Sequence, residues 1–370
     1  MPRFIIYIVC LLLTSGSAVT AQDTLTRFLD GNLAIVKREN ASFSADIFKQ
    51  NGLWEAIIYY GSGNLAGRGT FKDKNLTIRH GLFTFYYSIT ERKMYQVRYD
   101  DNYQVDTWQS WYENGRIKDS GKLADGRKTG WWHTWHPNGK LASAGSYSNT
   151  FIFDIPGIEA RSPRDQRQIK AYYLEQIPDT KTGLWKTWHA NGQIKDSIFY
   201  THTGLKEGLA KSWYENGNIE SAGVYLQDKE NGPWEWYHHN NKPATTEQYV
   251  NGKISSMQCF DSTGALTGDF CSLNKPALFP GGTVAFEEYL RKNLTYPERA
   301  GKKRGYVDLR FVIGEFGRPD EVTVVNSHSN YFSQEAERLI YEMPRWEPAV
   351  SHNRLSPFTV NVRLVFNPPE

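Results

Sequence analysis

Asn-Gly, returning at regular intervals behind tryptophan, constrains this chain more than any other feature. Asn114-Gly115, Asn138-Gly139, Asn191-Gly192 and Asn216-Gly217 follow Trp111-Tyr112, Trp135-His136, Trp188-His189 and Trp213-Tyr214, and Asn240-Asn241 follows Tyr237-His238. The second turn residue falls at 115, 139, 192, 217 and 241, in steps of 24, 53, 25 and 24. The long step holds one degenerate unit plus an insertion around residues 151–178. A helix does not tolerate Asn-Gly and Gly so often. Asn-Gly is instead the strongest two-residue hairpin signal, because a type I′ turn takes positive φ at both central residues. A β-prone stretch follows each turn and ends in Gly121-Lys122-Leu123, Gly145-Ser146-Tyr147 or Gly223-Val224-Tyr225. A lone hairpin cannot bury a face, so one hairpin per unit predicts a sheet that grows by stacking.

The tryptophans raise a question of faces. Trp132 and Trp135, like Trp185 and Trp188, are three apart. On a regular strand they point to opposite sides, so either both faces carry aromatics or a bulge re-aims one ring. Stacking between hairpins makes them core; an exposed row would make them a platform for a glycan, a peptide or an envelope surface.

Chemistry is sparse. His133 and His136 are spaced like a metal pair, but the slot of His136 is Tyr112, His189, Tyr214 and His238 in other units. A slot that exchanges Tyr for His is an amphipathic aromatic position, so no metal is expected there or at His238-His239. Glu113 and Glu215 could serve as paired acids of a sugar hydrolase. Their slot is Pro137, Ala190 and His239 elsewhere, which makes them turn-side surface residues. No G-x-S-x-G motif and no phosphate-cradling loop is present. We expect neither an enzyme nor a cofactor.

With 43 basic and 40 acidic residues the charge is nearly balanced, so nucleic acid is not implied. Arg3 followed by an apolar run over residues 4–13 has the length of a signal h-region. Val19-Thr20-Ala21 before Gln22 fits a cleavage site, with Gly16-Ser17-Ala18 as a second candidate. The expectation is export across the inner membrane to the periplasm; an uncleaved start would instead anchor the chain, its one route to membrane contact. Cys259 and Cys271 then remain, candidates for a disulfide in an oxidising compartment.

The last ninety residues change character. Val284, Phe286, Tyr289, Leu290 and Leu294 form an amphipathic helical stripe ended by Tyr296-Pro297. Val307, Leu309, Phe311 and Ile313 alternate along a strand, and Val322 and Val324 mark a second. Ser333 caps a second helix with inner positions Ala336, Leu339, Ile340 and Met343, stopped by Pro344. Phe358, Val360, Val362, Leu364 and Phe366 alternate through a last strand. The layout is two helices on a three-stranded antiparallel sheet.

The ordered set Tyr296, Pro297, Gly305, Val307, Phe311, Gly317, Ala336, Pro344, Trp346 and Pro348 resembles the C-terminal domain of TonB over about residues 278–367. The pattern G-x-W-x-x-W-[YH]-x-N-G-x-[IL] resembles MORN-variant repeats, well over about residues 105–252 and more weakly out to about 52–270. The first resemblance implies capture of an extended segment of an outer-membrane TonB-dependent transporter, or of another envelope protein, as an added strand. It makes the last strand the docking edge, with Thr359, Asn361, Arg363 and Val365 on it and Tyr296 and Pro297 beside it.

The expectation is therefore a mainly β chain. It comprises a signal peptide (1–21), an N-terminal segment (22–50), MORN-like hairpin repeats (51–270), a linker (271–279) and a TonB-like α+β domain (280–370). Two other roles fit the same residues: a membrane-anchored transducer driving outer-membrane transport, and a glycan- or envelope-binding repeat protein.

Overall fold

The computed structural model describes residues 24–148, 179–269, 271 and 274–369. The chain forms two compact units, Met1–Trp185 and Lys186–Glu370. The expected signal at 1–21 and the insertion at 151–178 lie outside the described residues.

The first unit is antiparallel sheet: β1 (Leu25–Leu29), β2 (Phe43–Gln50), β3 (Leu53–Tyr60), β4 (Leu65–Phe71), β5 (Gly81–Tyr86), β6 (Lys93–Asp100), β7 (Tyr103–Trp111), β8 (Ile117–Ala124), β9 (Arg127–Trp135) and β10 (Leu141–Tyr147). Paired strands begin already at Leu25, where β1 lies against β2. β11 (Lys181–Trp188) crosses the boundary between the units. The second unit continues with β12 (Ile194–Tyr200), β13 (Gly208–Trp213), β14 (Ile219–Leu226), β15 (Lys229–Tyr237), β16 (Pro243–Val250), β17 (Lys253–Phe260) and β18 (Leu266–Gly268).

The Asn-Gly turns that follow the tryptophans are not type I′. Only the glycine has positive φ, as at Gly115 (84°) and Gly139 (87°). Gly115 N–H donates to Tyr112 O, and Tyr112 N–H to Arg116 O. This is a type I turn followed by a left-handed glycine. The asparagine stays out of the left-handed region because its side chain is engaged on both sides. Asn114 Oδ1 accepts from Arg116 N–H at 3.0 Å, and its Nδ2 donates to Pro137 O of the next turn at 2.9 Å. Turns with both residues at positive φ join one hairpin to the next, at Asp125-Gly126, Gln227-Asp228 and Asn251-Gly252.

Three rungs lock successive hairpins. The asparagine rung recurs as Asn191 to Glu215 O and Asn216 to His239 O. A Tyr/His rung puts Tyr87, Tyr112 and Tyr214 hydroxyls on the carbonyls of Trp111, Trp135 and Tyr237, and His189 Nε2 on that of Trp213. Tyr and His exchange there because both hold a polar atom at similar reach. The third rung is tryptophan on glycine: Trp132 lies over Gly121, Trp185 over Gly145 and Trp234 over Gly223, leaving no room for a Cβ. Each indole N–H donates to the carbonyl after that glycine, on Lys122, Ser146 or Val224.

Both faces of β9 carry aromatics. Trp132 is 3% exposed on the core face. The Trp131, His133 and Trp135 rings follow one another at alternate positions on the other face, with centroids 6.4 and 5.8 Å apart.

The second unit ends in the α+β domain. It comprises β19 (Asn274–Lys275), α1 (Gly282–Asn293), β20 (Gly305–Ile313), β21 (Pro319–Ser327), α2 (Asn330–Tyr341), β22 (Ala349–Ser351), β23 (Arg354–Ser356) and β24 (Phe358–Phe366). The sheet order is β21-β20-β24. Its core contains Val307, Leu309, Phe311, Phe332, Leu339, Trp346 and Phe366. Three details differ from the sequence expectation. Ser329, not Ser333, caps α2 by accepting from Tyr331 N–H. Val284 is 77% exposed in the first turn of α1, where Ala285 and Phe286 pack inward instead. Residues 274–275, expected as linker, form a small second sheet, β19-β22-β23. Cys259 and Cys271 form the anticipated disulfide.

Candidate functional site

β20 is central, so β21 and β24 are the two borders of the domain's sheet. They differ as templates. β24 pairs with β20 residue for residue, from Gly305 opposite Phe366 to Ile313 opposite Phe358, with no shift. β21 slips twice against β20, begins at Pro319 and carries Glu321 at φ 48°. Bulges, proline and charge are the devices that keep an edge from recruiting another strand. β24 carries no bulge, and no strand flanks its outer border among the described residues.

Along β24 the exposure alternates. Val360 and Val362 are half-buried and Leu364 and Phe366 buried, while Thr359, Asn361, Arg363 and Val365 are exposed. These four residues therefore share the solvent face of β24. Arg363 is held there by Asp308 across the pair, Nε to Oδ1 at 2.6 Å and a terminal nitrogen to Oδ2 at 2.9 Å. Its guanidinium lies 4.3 Å from the Tyr306 ring centroid. The hydrogen bond from Arg363 holds the Asp308 carboxyl below its ordinary range.

Tyr296 is placed differently. Its hydroxyl accepts from Lys303 N–H at 3.1 Å and lies 2.6 Å from Gly301 O, and its ring meets Phe332 edge-on. Pro297 precedes the short turn Glu298–Ala300. Both residues shape the loop entering β20, whose first residue, Gly305, pairs with Phe366.

Sequence reasoning missed how the domain is mounted. The β22–β23 hairpin, with His352 and Asn353 both at positive φ, inserts its tip against the last repeats. The His352 ring stacks on Trp236 at 3.7 Å, nearly parallel at 6°. Its Nδ1 lies 2.9 and 3.0 Å from the two oxygens of Glu247. Glu247 is 2% exposed and also accepts from the hydroxyls of Thr245 at 2.7 Å and Tyr249 at 2.6 Å. Burial pushes its carboxyl up, but the bonds from His352, Tyr249 and Thr245 outweigh that and leave it below the usual value. Arg354 reaches Glu220 at 2.7 Å and the Tyr214 hydroxyl at 3.0 Å. Burial drives the Tyr214 phenol up to about 12 even so, keeping it a neutral donor. Asn353 donates to Phe260 O at 2.9 Å. One signal was available: seven residues after the turn asparagine, where Gly121, Gly145 and Gly223 stand in other units, this unit has Glu247.

His133, weighed as a metal ligand, is flanked by Trp131 and Trp135. His80, Asp100 and Asp101 bring ligand atoms together among the described residues. The Lys72 ammonium already sits 2.5 Å from Asp101 there, which leaves that carboxylate paired with a cation.

Residues 292–368 match the family model of the Gram-negative bacterial TonB protein C-terminal region. Residues 181–202, 206–227 and 230–251 match the MORN repeat variant. The two follow one another in the order expected from the sequence. They mark an envelope-associated, protein-interaction type of chain. Among curated proteins nothing matches. Two solved structures are distantly similar. One is the TcdB2-TccC3-Cdc42 crystal structure, at 13% identity and TM-score 0.16 over 61% of this chain. The other is the Photorhabdus luminescens Tc holotoxin pore, at 12% identity and TM-score 0.15 over 64%. This chain spans 14% of the length of each. Among the described residues no helix is long and apolar enough to cross a membrane.

Proposed function

We propose that this is a non-catalytic periplasmic interaction protein whose β24 border captures an extended segment of an outer-membrane transporter or another envelope protein. The observation that carries this reading is the contrast between the two borders: nine uninterrupted residues on β24, and a slipped, proline-headed β21. An added strand takes its affinity from main-chain hydrogen bonds, which a straight border offers in regular series. Half-buried Val360 and Val362 give such a strand apolar neighbours on the helix side, and Thr359, Asn361 and Arg363 polar ones on the other.

The test is titration of the full chain with peptides from the N-terminal segments of TonB-dependent transporters, followed by amide hydrogen exchange. Binding should slow exchange within residues 358–366 and leave 319–327 unchanged. Protection of β21 instead, or no binding by the folded chain, would overturn the proposal. Successive N–H groups on a strand point alternately to the two sides, so either Asn361→Pro or Val362→Pro removes a border donor. One of the two should abolish capture.

A further inference from the structure

Trp131 is the outlier of the repeat surface. It is 63% exposed, although the repeat does not require an indole there. The corresponding residues, seven before each turn asparagine, are Thr107, Leu184, Leu209 and Pro233. Two residues on, His133 stands where other units have Gln109, Lys186, Lys211 and Glu235. Among the described residues, only this unit has three aromatic rings along one outer strand face, at 131, 133 and 135.

The geometry makes a ridge. The rings are inclined to their neighbours by 20° and 31°, with centroids 6.4 and 5.8 Å apart. On the neighbouring strands small residues stand opposite Trp131 and His133, while Leu141 stands opposite Trp135. Ser146 is opposite Trp131 and Ala144 opposite His133 on β10, and Ser120 is opposite His133 on β8. No bulky side chain at those positions shields Trp131 or His133, and the neighbouring hydroxyls can donate or accept.

We propose that this outer face of β8–β10 is a saccharide-binding platform. Flat aromatic groups beside uncharged hydroxyls suit a ligand with apolar C–H faces and polar edges, which is the chemistry of a pyranose chain. The ridge consists of three rings along one strand. It is independent of strand capture at β24.

The test uses the full chain with tetra-N-acetylglucosamine, cellotetraose and maltotetraose as probes, monitored by calorimetry and by the indole and imidazole NMR signals. At least one probe should bind at millimolar concentration or below and shift Trp131 and His133. Trp131→Thr should weaken it at least ten-fold with an unchanged melting temperature, since Thr107 fills the same slot in the preceding unit. Should the threonine variant not fold, Trp131→Leu, which copies the residue at Leu184, replaces it. No binding of any probe, or binding unaffected by the substitution, overturns the proposal. So does a change of oligomeric state on substitution with saccharide affinity intact, which would make the ridge a protein contact.

Discussion

Replacing Gly223 by alanine should destabilise the second unit by about 2–3 kcal/mol. A Cβ at that position falls inside the van der Waals envelope of Cδ2, Cε2 and Cγ of Trp234. The ring has to retreat by about 1.5 Å or more to restore ordinary contact. It has little freedom to do so. Trp234 is 3% exposed, its Nε1 donates to Val224 O at 3.1 Å, and its ring meets Tyr225 and Trp236 at centroid distances of 5.0 and 5.5 Å. Overpacking of this kind costs about 1–3 kcal/mol, and loosening the indole hydrogen bond adds about 1. Loss of glycine's freedom in the unfolded chain returns about 0.4–1 kcal/mol. Urea unfolding followed by tryptophan fluorescence and by far-UV circular dichroism gives the difference. The diagnostic comparison is a double-mutant cycle with Trp234→Leu, which removes the clash. The coupling should exceed about 1 kcal/mol, with alanine better tolerated beside leucine than beside tryptophan. A cost below about 0.5 kcal/mol for Gly223→Ala, or additive effects in the cycle, would refute the view that this glycine is kept as a seat for the ring.

The mount of the α+β domain yields further predictions. His352→Ala leaves the Glu247 carboxylate buried with one donor fewer and should cost about 1–3 kcal/mol, read as a lower melting temperature. Because the Glu247 carboxyl is held below its ordinary value, its contribution is complete above the unfolded value of about 4.3 and is lost as pH falls through the lower folded value. Glu247→Gln should flatten the stability profile across that acid range, measured as urea midpoints; an unchanged slope would count against the pairing. Reducing the Cys259–Cys271 disulfide, which closes a short loop, should lower stability by up to about 3 kcal/mol, as judged from unfolding with and without reductant.

The repeats were legible because their signals are local. Turn asparagines, preceding tryptophans and closing glycines recur at one spacing, and alternation along residues 305–313 and 358–366 marks two strands of the α+β domain. Turn type was misjudged. Asn-Gly favours type I′ in isolation, but Asn114 serves the neighbouring unit through its amide, and that cross-unit bond selects a backbone which propensity alone does not. The helix cap slipped from Ser333 to Ser329 for a similar reason, since several serines close together offer equal local signals.

What the sequence alone determined is periodic: the hairpin unit, the order of repeats and α+β domain, the cysteine pair, and the face of β24 that carries Thr359, Asn361, Arg363 and Val365. Each follows from interactions between residues close along the chain or from a pattern repeated in it. Tertiary structure alone decided which border of the small sheet stays straight and how the β22–β23 tip is received by Glu247, Trp236 and Glu220. Those contacts join residues about a hundred positions apart, where no local spacing records the pairing. A buried carboxylate is tolerated at Glu247 because folding brings His352 to it.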